Sequence, residues 1–77
     1  MNTLTKIFGE NLKKIRKSLG LSQEKFADLI SIHRTYVGAI ERGERNITLK
    51  ILEKISKVLK IQPYKLLIKG SFTDARR

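Results

Sequence analysis

Apolar residues in this chain recur every three or four positions in short blocks, and each block ends at a residue that stops a helix. Ile7, Phe8, Leu12, Ile15 and Leu19 form the first block, closed by Gly20. Such spacing is that of a helix with one buried face, and the alternation of a half-buried strand is absent. Ser22, a natural N-cap, precedes a second block of Phe26, Ala27, Leu29 and Ile30. A third begins near Arg34, turns Val37 and Ile40 inward and ends at Gly43. Thr48 can cap a fourth, with Leu49, Leu52, Ile55, Val58 and Leu59 on one broad face. Pro63 suits a first helical turn and opens a short fifth through Tyr64, Leu67 and Ile68. The pattern predicts an all-α fold of five helices, one domain over residues 1–70, with residues 71–77 as a frayed tail.

Seventy-seven residues are near the lower limit for folding on an ordinary core, and the chain has no cysteine to add a disulfide or a thiolate metal site. Helix packing, assisted by dimerisation, must supply the stability. The longest apolar run is three residues, as in Leu66-Leu67-Ile68, too short to span a membrane. No signal-peptide core follows the first methionine, so a cytoplasmic protein is expected. A net charge of +10 favours polyanions or anionic lipid without choosing between them. Its distribution does more. Residues 1–20 carry five basic and one acidic side chain, residues 47–77 eight and two, and residues 21–46 four of each. The excess is on the flanks and cannot by itself locate a site in the middle.

The second and third helices are separated by about three residues, which suits a sharp helix-turn-helix. Gln23 to Arg42, QEKFADLISIHRTYVGAIER, resembles the helix-turn-helix of the phage-repressor (Cro/CI, or XRE) family. Ala27 stands where the family has a small residue between the helices, and Phe26, Ile30, Ile32, Val37 and Ile40 stand where apolar residues fix their crossing. The resemblance covers about Ile7 to Ile68 and implies a lambda-repressor-like fold and binding to double-stranded DNA. Ser31 occupies the turn position usually held by glycine, so a left-handed serine is expected, at about 1 kcal/mol.

At about 100° per residue, Thr35, Gly38, Ala39 and Arg42 fall opposite the inward Val37 and Ile40. Glycine inside a helix costs roughly 1 kcal/mol against alanine. At Gly38 the expected return is a helix axis that can come close to a groove wall. Arg34 and Thr35, at the N-terminal end, are placed to reach base edges, as a recognition helix does. Arginine there can pair with guanine O6 and N7, worth ~1–3 kcal/mol of discrimination. Tyr36, to one side, either touches DNA or roofs the core. His33, Arg42, Arg45, Asn46 and Lys50 are candidates for phosphate or groove-edge contact, the other readings being a turn residue for His33, a solvated loop for Arg45 and Asn46, and a solvated face for Lys50. Lys50, Lys54 and Lys57 repeat at helical spacing, and any phosphate attraction would weaken steeply with salt. The resemblance implies that Gln23 contacts phosphate at the start of the second helix. It also implies that Arg16 pairs with Glu41, a structural rather than a DNA-binding use of that arginine.

No cofactor, metal or small-molecule ligand is expected: His33 is the only histidine and forms no nucleophile–base set with Ser22, Ser31, Glu24 or Asp28. Nothing in the sequence argues for an enzyme. One recognition helix reads few base pairs, so a homodimer on half-sites about one helical turn apart is expected. Tyr64, Leu67, Ile68 and Phe72 supply its apolar patch, core closure being the other use for them. RTYVGAIERGERN followed by ITL resembles the controller proteins of restriction-modification systems, compact cytoplasmic, nucleoid-associated dimers that bind paired operator sites near their own promoter. A phage-type repressor and an antitoxin are similar. The readings from other classes are a basic protein on anionic membranes and a protein-interaction module. The charge balance of residues 21–46 counts against the membrane.

Overall fold

The structure, a computed structural model, describes residues 3–72. Four α-helices follow one another: α1 (Thr3–Ser18), α2 (Gln23–Ile30), α3 (Arg34–Glu41) and α4 (Leu49–Leu59). A 3₁₀ helix, Pro63–Leu67, follows them. The all-α expectation holds, but the fifth element is not an α-helix. Its bonds run over three residues, Lys65 N–H to Gln62 O at 3.0 Å and Ile68 N–H to Lys65 O at 3.5 Å. Proline removes one donor at the start, and five residues are too few for a ladder of four-residue bonds.

The caps are local and follow from the sequence. Ser22 Oγ accepts from Lys25 N–H and Thr48 Oγ1 from Ile51 N–H, each at 3.1 Å. Ser31 ends α2 in the left-handed region, at φ 58° and ψ 46°. Its carbonyl accepts from Lys54 Nζ at 2.9 Å, which ties the turn to α4. One member of the lysine row therefore supports the fold. Lys60 ends α4 in the same left-handed conformation, at φ 57°.

The core comprises Phe8, Leu12 and Ile15 of α1, Phe26, Ala27 and Ile30 of α2, Val37 and Ile40 of α3, Leu52 and Ile55 of α4, and Leu66. The helical period misassigns the ends of its blocks. Leu19, Leu29 and Val58 are exposed, and Leu49 is 82% exposed. In the last element Leu66, not Leu67 or Ile68, is fully buried. Asn11, itself buried, fixes that segment, its Nδ2 donating to Leu66 O at 2.9 Å and Ile68 O at 3.0 Å. Phe72 is half-buried against the core, so the expected tail does not begin at residue 71; residues 73–77 of it lie outside the described residues. α1 packs on α3 and the 3₁₀ helix, and α2 packs on α3 and α4. The N-terminal end of α3 is left at the surface on this platform.

Candidate nucleic-acid interface

His33 is the N-cap of α3, its Nδ1 accepting from Thr35 N–H at 3.1 Å. A neutral ring that accepts at Nδ1 carries its hydrogen on Nε2, a donor suited to a phosphate oxygen. Arg34 and Thr35 follow on the first turn, both exposed. Arg34 Nη1 is 3.7 Å from Glu24 Oε1 of α2. Tyr36 is half-buried against the core, with the Arg45 guanidinium carbon 5.2 Å from its ring centroid. The sequence left two uses open for Tyr36, and roofing the core is one the structure displays. Arg42 Nε is 3.1 Å from Glu44 Oε2. Asn46 Oδ1 accepts from Thr5 Oγ1 at 2.8 Å, which fastens the loop after α3 to α1. Lys50 is exposed in the first turn of α4.

Behind this surface is a buried polar tie between three helices. Arg16 Nε donates to Glu41 Oε2 at 2.7 Å, and Nη2 to Oε1 at 3.0 Å. Its Nη1 donates to Leu21 O at 2.9 Å, at the turn before α2. Gln23 Nε2 donates to the same Glu41 Oε1 at 3.0 Å. The Glu41 side chain is 2% exposed, and a carboxylate so buried requires such partners. The arrangement fixes the Gln23 side chain across the mouth of the α2–α3 angle.

Gly38 departs from the sequence reading. It is buried, not open on the outer side of α3. A Cβ there would lie 3.3 Å from Arg42 Nη1 and 3.4 Å from Gln23 Oε1. The helical period gives the direction of position 38 correctly but cannot show that long side chains from α2 and the end of α3 lie over it. The space glycine leaves is bordered by the Gln23 amide and the Arg42 guanidinium, which any side chain at position 38 would touch.

Three features escaped the sequence reading: the histidine cap, the Gln23–Glu41 bond, and the carboxylates of Glu24 and Glu44 beside Arg34 and Arg42. The four-to-four charge balance of residues 21–46 was the one signal for the last. The structure brings Gln23, His33, Arg34, Thr35, Gly38 and Arg42 together around α3, with Arg45 over Tyr36 beside them. The apolar residues expected to pair two copies are placed differently. Leu67 lines a cleft of about 330 Å³ with Leu4, Phe8, Ile47, Leu49 and Leu52. Tyr64, on the same 3₁₀ helix, and Ile68, its C-cap, are exposed but do not line it. No helix among the described residues is long and apolar enough to cross a membrane.

The helix-turn-helix family model (HTH_3) matches residues 12–66. The control protein C.BamHI of Bacillus amyloliquefaciens is 48% identical over 67 residues, 86% of this chain and 83% of the relative. The control protein C.MunI of a Mycoplasma species is 53% identical over 57 residues, 73% of this chain and 77% of the relative. Among solved structures, the restriction-modification controller protein C.AhdI of Aeromonas hydrophila superposes with a TM-score of 0.72 at 42% identity, covering 80% of this chain and 90% of that one. With the polar surface of α3 exposed and the α2–α3 angle held by the Arg16–Glu41–Gln23 tie, these likenesses converge: the chain belongs to the helix-turn-helix (XRE) family of DNA-binding transcriptional regulators, and restriction-modification controller proteins are its close homologues.

Proposed function

We propose that this chain is a controller of a restriction-modification system, acting in the cytoplasm on nucleoid DNA. A single domain binds paired operator half-sites as a homodimer. α3 lies in the major groove at each half-site, with Arg34 and Thr35 at base edges and Tyr36 beside them. Gln23, His33, Arg42, Arg45, Asn46 and Lys50 meet phosphates or groove edges. The observation that carries this reading is the exposure of Arg34 and Thr35 at the tip of a helix whose opposite side, Val37 and Ile40, is fully buried. A base reader needs that combination of reach and rigidity.

Selection of sites from random duplexes, read at two salt concentrations, tests specificity and two-fold symmetry together. The expected product is a repeated half-site, with affinity that falls as salt rises. Arg34→Lys keeps the charge and loses the bidentate fork, so discrimination at one base pair per half-site should drop by ~1–3 kcal/mol while the fold is kept. An Arg34→Lys protein that selects the same site with equal preference removes Arg34 from base readout. An α3 indifferent to sequence in the wild type removes the whole reading.

A further inference from the structure

Glu24 sits on α2 next to the first turn of α3. Its carboxylate oxygen is 3.7 Å from Arg34 Nη1, and the two side chains are 68% and 65% exposed. Glu24, Asp28, His33 and Arg34 border one shallow depression of about 360 Å³ between the helices. An ion pair this exposed adds little to the fold. A carboxylate in the first turn of α2 also favours that helix N-terminus, again modestly. Neither effect accounts for a negative charge beside the group that, on the reading above, must approach a polyanion.

The energetics of the approach separate two kinds of complex. Against phosphate alone, Arg34 exchanges one carboxylate for one anionic oxygen, and Glu24 is left facing the backbone charge. Against a guanine edge, the planar fork gains two aligned acceptors deep in the groove. The carboxylate therefore opposes non-specific binding more than specific binding. It also restricts a long side chain to the neighbourhood of the groove before contact, which lessens the ordering cost on binding.

We propose that Glu24 is a specificity-determining residue whose pairing with Arg34 withholds that guanidinium from phosphate and releases it to a base edge. This rests on the assignment of Arg34 to base readout. The test compares wild type, Glu24→Gln and Glu53→Gln for binding to the selected operator and to a scrambled duplex of equal length. Glu53 is the matched control: it is exposed, and its carboxylate is 3.8 Å from Lys57 Nζ on α4. Overlaid thermal melts establish that all three proteins are folded. Glu24→Gln is expected to bind scrambled duplex about fivefold tighter, the scale of one exposed charge pair, with little gain on the operator. Its salt slope on scrambled duplex should steepen by up to about 0.9. Glu53→Gln should leave the operator-to-scrambled ratio unchanged. An unchanged ratio in Glu24→Gln, or an equal loss in both variants, overturns the role of Glu24 alone. A wild type that does not distinguish the two duplexes overturns the base-readout assignment instead.

Discussion

A methyl group at position 38 would have two opposite effects. Alanine is about 1 kcal/mol better than glycine inside a helix. The new atom would meet the Arg42 guanidinium and the Gln23 amide at 3.3 and 3.4 Å, both ends of flexible chains that can move aside. Gly38→Ala is therefore expected to raise stability, by less than about 1 kcal/mol in urea unfolding, and to lower operator affinity in titration. A stability gain without an affinity loss would show that the positions of Gln23 and Arg42 are not what Gly38 protects. Ser31 poses the complementary case. Its left-handed conformation costs a non-glycine residue ~1–2 kcal/mol, and glycine there would return roughly 0.5–1 kcal/mol of that in unfolded-chain entropy. Ser31→Gly should thus raise the unfolding free energy by up to about 1 kcal/mol without altering DNA binding. The turn at Ser31 was legible because a local backbone rule and the family pattern agree on it. The side chains over Gly38 were not, since one arrives from α2 and the other folds back from the end of α3.

At the scale of elements, the crossing of α1 and α3 depends on a glycine that no periodicity singles out. A Cβ on Gly9 would stand 2.1 Å from Ile40 O and 3.1 Å from Glu41 O, both backbone atoms that cannot swing away. Gly9→Ala must push α1 off α3, and the Arg16–Glu41 bonds, of 2.7 and 3.0 Å, span the same two helices. Overpacking of this kind costs about 1–3 kcal/mol, and any loosening of the buried pair adds to it, so unfolding by urea or heat should show a loss at the upper end of that range. A loss near zero would mean that the helices separate without resistance. The helices themselves were readable from caps and the apolar period, because those are set within one turn. Which leucine of Leu66-Leu67-Ile68 enters the core was not, because Asn11 and the 3₁₀ geometry decide it from 55 residues away in sequence. Leu19, Leu29, Leu49 and Val58 satisfy the same period yet face outward, since a period marks a direction and not whether another element lies there.

For the molecule as a whole, the homodimer proposed above needs an apolar surface, and the exposed Leu49 is one that a second copy would cover. A domain of this size has little stability to spare, and a leucine 82% exposed beside a cleft lined by Leu4, Ile47 and Leu67 loses hydration cost only when something apolar closes over it. In a two-fold dimer each residue of the interface is used twice. Burying one leucine is worth about 1.5–3 kcal/mol, so two copies of Leu49→Glu should weaken dimerisation by about 100-fold or more. The monomer fold should survive, since Leu49 touches solvent and Leu52 and Ile55 carry the inner face of α4. Sedimentation at micromolar concentration should show the wild type as a dimer and Leu49→Glu as a folded monomer. On DNA the variant should keep its preference for a half-site, because α3 is untouched, while losing the gain in affinity that comes from linking two half-sites in one molecule. A wild-type monomer at that concentration would overturn the dimer; a Leu49→Glu protein that still sediments as a dimer would move the contact away from α4, and Tyr64 on the 3₁₀ helix and Ile68 just after it, both exposed, would then be the next residues to substitute.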